Sequence, residues 1–357
     1  VMPDLSQLDP NFITRSLDGE TDLVFRSVRE DPFEIHGLIA APDRFRRLPE
    51  DLVADANLVT GIGELCKHTA GGRVCFRTDS DTIAVYAVMP GMYLMPHMAF
   101  LGSGGFDLYE RKDGRQTYTG SFIPDKNNHE SVRAAVTFGE HRERELILEF
   151  PLYSGVCEVY IGLKKDASLT RFSGYTRKVP MVFYGSSITQ GGCASAPGTS
   201  YEAILSRRFD SDYLNMGFSG NAKGEKKIMD YIASLPMSLF FYDYDYNAPS
   251  VEHLQNTHYA GYRAVRDAHP DIPIFVCGRP NFGNPENDAP ARRAVIRSTY
   301  DRARAEGDHH IYFIDNAEVF RTFYEDGCTV DGCHPNDHGF FRMADVFAEA
   351  IASASEE

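Results

Sequence analysis

From Val182 onward the chain alternates short apolar runs with longer stretches of helical character, and this rhythm narrows the fold more than any other feature. The runs are Val182–Tyr184, Tyr213–Met216, Leu239–Tyr242, Ile274–Cys277 and Ile311–Ile314. Between them lie helix-forming segments at Tyr201–Phe209, Glu225–Ser234, Val251–Ala268 and Ala289–Ala305, and a last one follows at His338–Ala352. Strands that alternate with helices build a parallel sheet covered on both faces. His269-Pro270 and Pro273 mark the end of the long third helix. Right-handed crossovers bring the loops after every strand to one edge, and open α/β sheets bind their ligands there.

The first half has a different rhythm. Glu145–Phe150 and Val156–Ile161 alternate in side-chain direction, and Arg73–Thr78 and Thr82–Val88 are two more strand-like runs split by Asp79-Ser80-Asp81. Short strands with polar turns predict a sandwich or jelly roll. At 357 residues two domains are the natural prior. The polar stretch Lys164–Pro180 places the boundary, giving a β domain over residues 1–175 and an α/β domain over residues 176–357.

The loops after the strands carry a set of chemical groups. Gly185, Ser186 and Ser187 follow the first strand, and Gly217, Ser219, Gly220 and Asn221 the second. Asp243, Asp245, Tyr246 and Asn247 follow the third, and Asp331 and His334 come after the fifth. A nucleophile, small donors, an amide and a base with its carboxylate are what acyl transfer needs. Each piece has a plainer reading. Ser186 and Ser187 could cap a helix, the glycines could only turn the chain, and Asn247 could be a cap. Asp331-x-x-His334 is a common spacing. Cys328, Cys333 and His334 lack a second cysteine pair at zinc spacing, so no metal is expected. Cys193 reads as a small filler, because no neighbouring cation is evident to activate it. Thr189 stands where a nucleophile elbow would need its last glycine.

The order of these pieces resembles the SGNH hydrolases, also called GDSL esterases. Gly185-Ser186-Ser187-Ile188-Thr189 is similar to the family's first block, Asn215-Met-Gly-Phe-Ser-Gly220 to the second, Asp243-Tyr-Asp-Tyr-Asn247 to the third and Asp331-Gly-Cys-His334-Pro335 to the last. Upstream, Gly105-Phe-Asp107-Leu-Tyr109 resembles the GxDLY signature of the β-sandwich domain that precedes one subgroup, and His97-Met98 and Pro151-Leu-Tyr153 are similar to it too. The resemblance implies a flavodoxin-like three-layer domain with a five-stranded parallel sheet behind an all-β sandwich. It implies Ser187 as nucleophile, His334 as base and Asp331 as its carboxylate. It also implies an oxyanion hole made by the N–H groups of Ser187 and Gly220 and the amide of Asn247. His97, Asp107 and Tyr109 are substrate-facing candidates; bracing of the domain junction is the favoured alternative for Asp107 and Tyr109. Ser186 replaces the usual aspartate, and Ala196 stands where the subgroup often has arginine, which bears on substrate preference rather than on the chemistry.

The expected activity is a serine esterase removing short O-acyl groups, acetyl first, from a carbohydrate or similar polar substrate. An acyltransferase using the same ester intermediate is the alternative, and a non-catalytic glycan-binding protein the third. No metal or organic cofactor is expected. A formal charge of −15 disfavours nucleic acid or an anionic membrane as partner, and no apolar run reaches spanning length. Val1-Met2-Pro-Asp has neither a basic start nor an apolar core, and seven cysteines are irregularly spaced. The expectation is a cytoplasmic setting, with an upstream signal segment trimmed before Val1 as the alternative.

Overall fold

The computed structural model describes residues 22–55, 57–58, 61–280, 288–315, 319–320 and 327–355. The Val1–Asp4 start lies outside the described residues.

The second half forms one parallel sheet. Its strands are β1 (Arg177–Gly185), β2 (Ser211–Gly217), β3 (Leu239–Asp243), β4 (Ile274–Cys277) and β5 (Ile311–Ile314), in the order β2-β1-β3-β4-β5. Among the described residues, five helices of eight or more residues accompany it: α1 (Tyr201–Phe209), α2 (Lys226–Ala233), α3 (Val251–Ala268), α4 (Ala289–Ala305) and α5 (Asp337–Ala354). Successive side chains of a strand point to opposite faces. Val182, Tyr184, Phe240 and Tyr242 therefore pack with Ile228, Ile232, Leu254, Tyr262 and Ile296 of α2, α3 and α4. Met181, Phe183, Phe241 and Phe275 pack with Tyr201, Leu205, Phe340 and Phe347 of α1 and α5. This is the three-layer α/β arrangement that the alternating rhythm predicts.

β1 starts at Arg177, inside the stretch read from sequence as polar linker. Pro180 sits within it, and the register with β2 shifts between Arg177 and Met181. Proline has no N–H for a ladder, so an irregularity at this point follows from its chemistry. α5 begins at Asp337, just before the expected start, because the Asn336 side chain caps it by accepting from the Gly339 N–H at 3.1 Å.

The first half is a sandwich of two antiparallel sheets. One runs in the order Leu23–Ser27, Glu158–Lys164, Thr82–Val88, Ser131–Thr137. The other runs Leu169–Thr170, Arg73–Thr78, Arg144–Glu149, Phe106–Lys112, Arg115–Phe122, with Glu34–His36 beside Arg73–Thr78. Between the sheets lie Val74, Phe76, Val85, Phe106, Leu108, Leu146, Leu148 and Ile161. The sandwich is not independent of the α/β layer. Leu48, Ile62 and Cys66 belong to one helix-covered core, and Leu152 and Tyr153 belong to the other. Ion pairs also cross the junction, Arg73 with Asp212 at 2.5 Å and Arg111 with Asp210 at 2.5 Å.

Candidate active site

β1 ends at Gly185, and the chain turns at once into a one-turn helix, Ser187–Gln190. Ser186 makes the turn. Its N–H donates to the Asp243 carbonyl at 3.2 Å, and its Oγ accepts from the Ile188 N–H at 3.2 Å. The packing is too close for side chains at two positions. A Cβ on Gly185 would lie 2.1 Å from Thr189 Oγ1 and 2.2 Å from the Asp243 carbonyl oxygen, and one on Gly217 would lie 2.2 Å from the Gln190 nitrogen. Glycine there lets the turn sit flat on the sheet edge, with Ser187 at the carboxyl ends of the strands.

Ser187 Oγ lies 2.9 Å from His334 Nε2, and His334 Nδ1 lies 2.7 Å from Asp331 Oδ2. The other Asp331 oxygen accepts the backbone N–H groups of Cys333 at 2.9 Å and His334 at 2.7 Å. Burial alone would raise the Asp331 carboxyl, but these hydrogen bonds from His334 and Cys333 outweigh it and hold the group below the usual carboxylate range. A carboxylate on Nδ1 fixes the imidazole proton there and leaves Nε2 as the acceptor facing Ser187. The loop is closed by the Val330 N–H on the His334 carbonyl at 3.0 Å. The Cys193 N–H reaches the Pro335 carbonyl at 3.0 Å, tying the nucleophile turn to the histidine loop.

The segment after β2 lies beside the serine. Gly220 has φ +69, which favours glycine, and nothing lies within 4 Å of where its Cβ would be. Asn247 Nδ2 donates one hydrogen to the Phe218 carbonyl at 2.9 Å, so the amide supports this segment while a second N–H remains on the same nitrogen. Four loops that are far apart in sequence thus meet at one sheet edge.

The three upstream candidates separate. Asp107 is buried; it accepts from Ser121 Oγ at 2.6 Å and from the Gly198 N–H at 3.0 Å. Tyr109 is buried under Gly198, where a Cβ would meet its hydroxyl at 2.1 Å, and Arg207 stacks on its ring at 4.5 Å. Both lie at the junction of the two layers, where the Asp107 carboxylate accepts from the Gly198 N–H and the Tyr109 ring packs against Gly198. His97 is exposed, with its ring 6.0 Å from that of His334.

Other groups at the site carry no sequence signal for their roles. The Tyr153 hydroxyl donates to the Ser187 carbonyl at 3.1 Å. Gln190 is fully buried; its Oε1 accepts from the Ser219 N–H at 3.0 Å, and its Nε2 donates to the Leu152 carbonyl at 3.2 Å and meets His68 Nδ1 at 3.1 Å. Burial, and then the nearby Arg47 cation, lower His68 to about 4, so a neutral imidazole accepts from Gln190. Arg47 is 2% exposed. It donates to the carbonyls of Gly217 at 2.5 Å, Leu65 at 2.7 Å and His68 at 2.9 Å, and stacks on Phe218 at 4.7 Å. Burial lowers its guanidinium to about 10, and it stays charged at neutral pH. Tyr153 stands in a run that the resemblance singled out, but an arginine that binds only carbonyls leaves no pattern to read.

Residues 178–352 match the GDSL-like lipase/acylhydrolase family, and residues 23–169 match the N-terminus of SGNH hydro-type esterases. No curated protein matches the chain. A GDSL-like lipase from Bacteroides ovatus is similar at 27% identity and TM-score 0.83, over 94% of this chain and 98% of that one. A salicylyl-acyltransferase from a tetracycline biosynthetic pathway is similar in fold at 18% identity and TM-score 0.74, over 94% and 98%. A family two carbohydrate esterase from Clostridium thermocellum, solved with cellohexaose, is similar in fold at 15% identity and TM-score 0.62, over 90% and 98%. With a catalytic-type α/β layer and a GxDLY-type sandwich both matched in order, the chain belongs to the SGNH (GDSL-type) hydrolases.

Proposed function

We propose that this SGNH hydrolase is a serine esterase that removes short O-acyl groups, acetyl foremost, from a carbohydrate or similar polar substrate. The observation that carries the reading is the relay from Asp331 through His334 to Ser187, at 2.7 and 2.9 Å. His334 Nε2 takes the proton of Ser187 Oγ as the oxygen attacks the ester carbonyl, and Asp331 holds the resulting imidazolium. The N–H groups of Ser187 and Gly220 and the remaining N–H of Asn247 receive the negative oxygen. Each such donor is worth about 3 kcal/mol at the transition state. His334 then protonates the leaving alcohol, and water, activated in the same way, releases the acyl group from Ser187. No step in this scheme calls on a metal or organic cofactor.

A polar, sugar-sized alcohol is supported by the surface beside the serine. Tyr93 and Leu94 are 68% and 57% exposed, on the segment that also carries His97. The Tyr93 ring lies 6.2 Å from that of His68, which in turn lies 6.0 Å from that of Tyr153. An exposed aromatic ring with a wet edge is a good platform for a sugar face. The carbohydrate esterases of the same fold agree with this choice.

A second reading, transfer of the acyl group to an alcohol in place of water, is favoured by the structural likeness to the salicylyl-acyltransferase. The two are separated by supplying chromogenic esters of increasing acyl length with and without a hydroxyl acceptor, and by following acetate release from acetylated sugars. Hydrolysis expects free acid at a rate independent of acceptor. New ester formed in preference to free acid would instead establish transfer. The cytoplasmic setting is likewise part of the proposal; among the described residues no helix is long and apolar enough to cross a membrane.

A further inference from the structure

We propose that the mouth of the active site is also a binding site for a zinc-class divalent ion, and that the ion switches the esterase off by taking the lone pair of His334. The ligands are His97, Cys193 and His334, whose donor atoms all lie within 4.8 Å of one another. Among the described residues no other group of three such side chains comes together in this way. The inference rests on the esterase reading only for its consequence, not for the site.

The three ligands come from three separate segments. His97 belongs to the sandwich side of the chain and is exposed, with its ring 6.0 Å from that of His334. Cys193 closes the turn after the proposed nucleophile; it is buried among apolar neighbours and held by its N–H to the Pro335 carbonyl at 3.0 Å. His334 offers Nε2, because Nδ1 is occupied by Asp331 at 2.7 Å. A carboxylate behind a ligating histidine is the usual support of a zinc site, since it fixes the tautomer and makes Nε2 a better donor. Two imidazoles and one thiolate with an open fourth position suit zinc, which binds such mixed nitrogen and sulfur sets tetrahedrally. The donor atoms already lie within 4.8 Å of one another, and His97, the exposed member, sits at the mouth where an ion would enter.

The chemistry balances without redox change. Coordinate bonds form from the His97 ring nitrogen, His334 Nε2 and the Cys193 sulfur. The thiol proton passes to bulk water, and the hydrogen bond between Ser187 Oγ and His334 Nε2 is broken. The general base is then unavailable, so occupancy and turnover exclude each other. The Cys193 thiol, which has no part in the proposed acyl transfer, gains a role as the soft ligand of this switch.

The test uses the full chain and two ions. Cobalt(II), a spectroscopic stand-in for zinc, is titrated into the protein and the thiolate-to-cobalt charge-transfer band is followed. The wild type is expected to develop that band with a tetrahedral ligand-field spectrum, and Cys193→Ala and His97→Asn are each expected to lose or strongly weaken it. In parallel, zinc is titrated against turnover of a chromogenic acetyl ester. Half-inhibition is expected to need at least tenfold more zinc in Cys193→Ala than in the wild type, with basal turnover of that variant retained and with chelator restoring the wild type. Absence of the cobalt band in the wild type would overturn the site, as would equal zinc sensitivity of the wild type and a folded Cys193→Ala. If no ester is turned over, the esterase reading fails while the cobalt spectrum still judges the site.

Discussion

The Tyr153 hydroxyl donates to the backbone carbonyl of Ser187 at 3.1 Å, so a residue in the loop between the sandwich strands Arg144–Glu149 and Glu158–Lys164 grips the turn that carries the proposed nucleophile. The same ring also closes over Gly192, where a Cβ would sit 2.7 Å from the hydroxyl. Tyr153→Phe removes the hydrogen bond and keeps the packing. A net contribution of about 1 kcal/mol for such a bond translates into a severalfold loss in kcat with little change in KM. Steady-state kinetics on a chromogenic ester checks this, and an unchanged kcat would leave Tyr153 with a packing role alone.

Arg47 makes the junction indispensable. Its buried guanidinium donates to the Gly217, Leu65 and His68 carbonyls, and the Leu65 carbonyl also accepts from the His68 N–H at 3.1 Å. Arg47→Met leaves the buried Gly217 carbonyl without that donor, and a buried group left unpaired costs about 1–3 kcal/mol. Thermal melting is expected to show a loss of several degrees, together with reduced turnover, because Gly217 leads directly into the proposed oxyanion segment. A melting point equal to wild type would show that the carbonyls find other donors.

Glu149 sets a pH dependence of stability. Burial pushes its carboxyl up to about 7 from 4.5, against a smaller opposing effect of Arg73, and the Tyr213 hydroxyl donates to it at 3.3 Å. The folded state therefore keeps a proton that the unfolded chain has already lost between those values. Its contribution is complete below about 4.5 and falls away as pH rises through about 7. The change is on the order of 3 kcal/mol at most. Glu149→Gln, which keeps an acceptor for Tyr213, is expected to flatten this part of the curve in denaturant titrations at several pH values. An identical slope in the variant would contradict the assignment.

How much of this was readable beforehand differs by region. The five parallel strands announced themselves because each is a short apolar run, and α1 and α3 have the ends their sequence implies, at Tyr201–Phe209 and Val251–Ala268. β1 ran longer than its apolar stretch because Arg177 pairs with Ser211 before the proline irregularity, and such edge pairing has no hydrophobic signature. That Ser187, Asp331 and His334 converge was legible because motif order survives in a single sequence. Their support was not. For Asp107 and Tyr109 the sequence left substrate contact and bracing side by side, with bracing favoured, but it could not name Gly198 as their partner; Gln190, His68 and Arg47 act through long-range contacts that local spacing cannot encode.

Asp331 has a testable place in the relay. Asp331→Asn keeps its size and one acceptor oxygen but removes the charge that fixes the His334 tautomer. By analogy with serine triads in general, kcat is expected to fall roughly 10³–10⁴-fold with the fold retained. Circular dichroism and ester kinetics together check it; a loss smaller than about tenfold would mean that Nδ1 needs no carboxylate.

Tyr93 is the exposed ring of the proposed sugar platform. Tyr93→Ala is expected to raise KM for acetylated sugars by roughly tenfold, in line with about 1–2 kcal/mol for an aromatic contact, while a small chromogenic ester is turned over as before. Equal effects on both substrates would remove the sugar platform from the proposal.

The central claim is that Ser187 is an activated nucleophile, and covalent capture tests it most directly. The wild type is treated with a fluorophosphonate and the labelled peptide is located by mass spectrometry. One adduct, on Ser187, is expected, formed far more slowly in His334→Ala and absent from folded Ser187→Ala. A label on another residue, or an undiminished label in Ser187→Ala, would contradict the account.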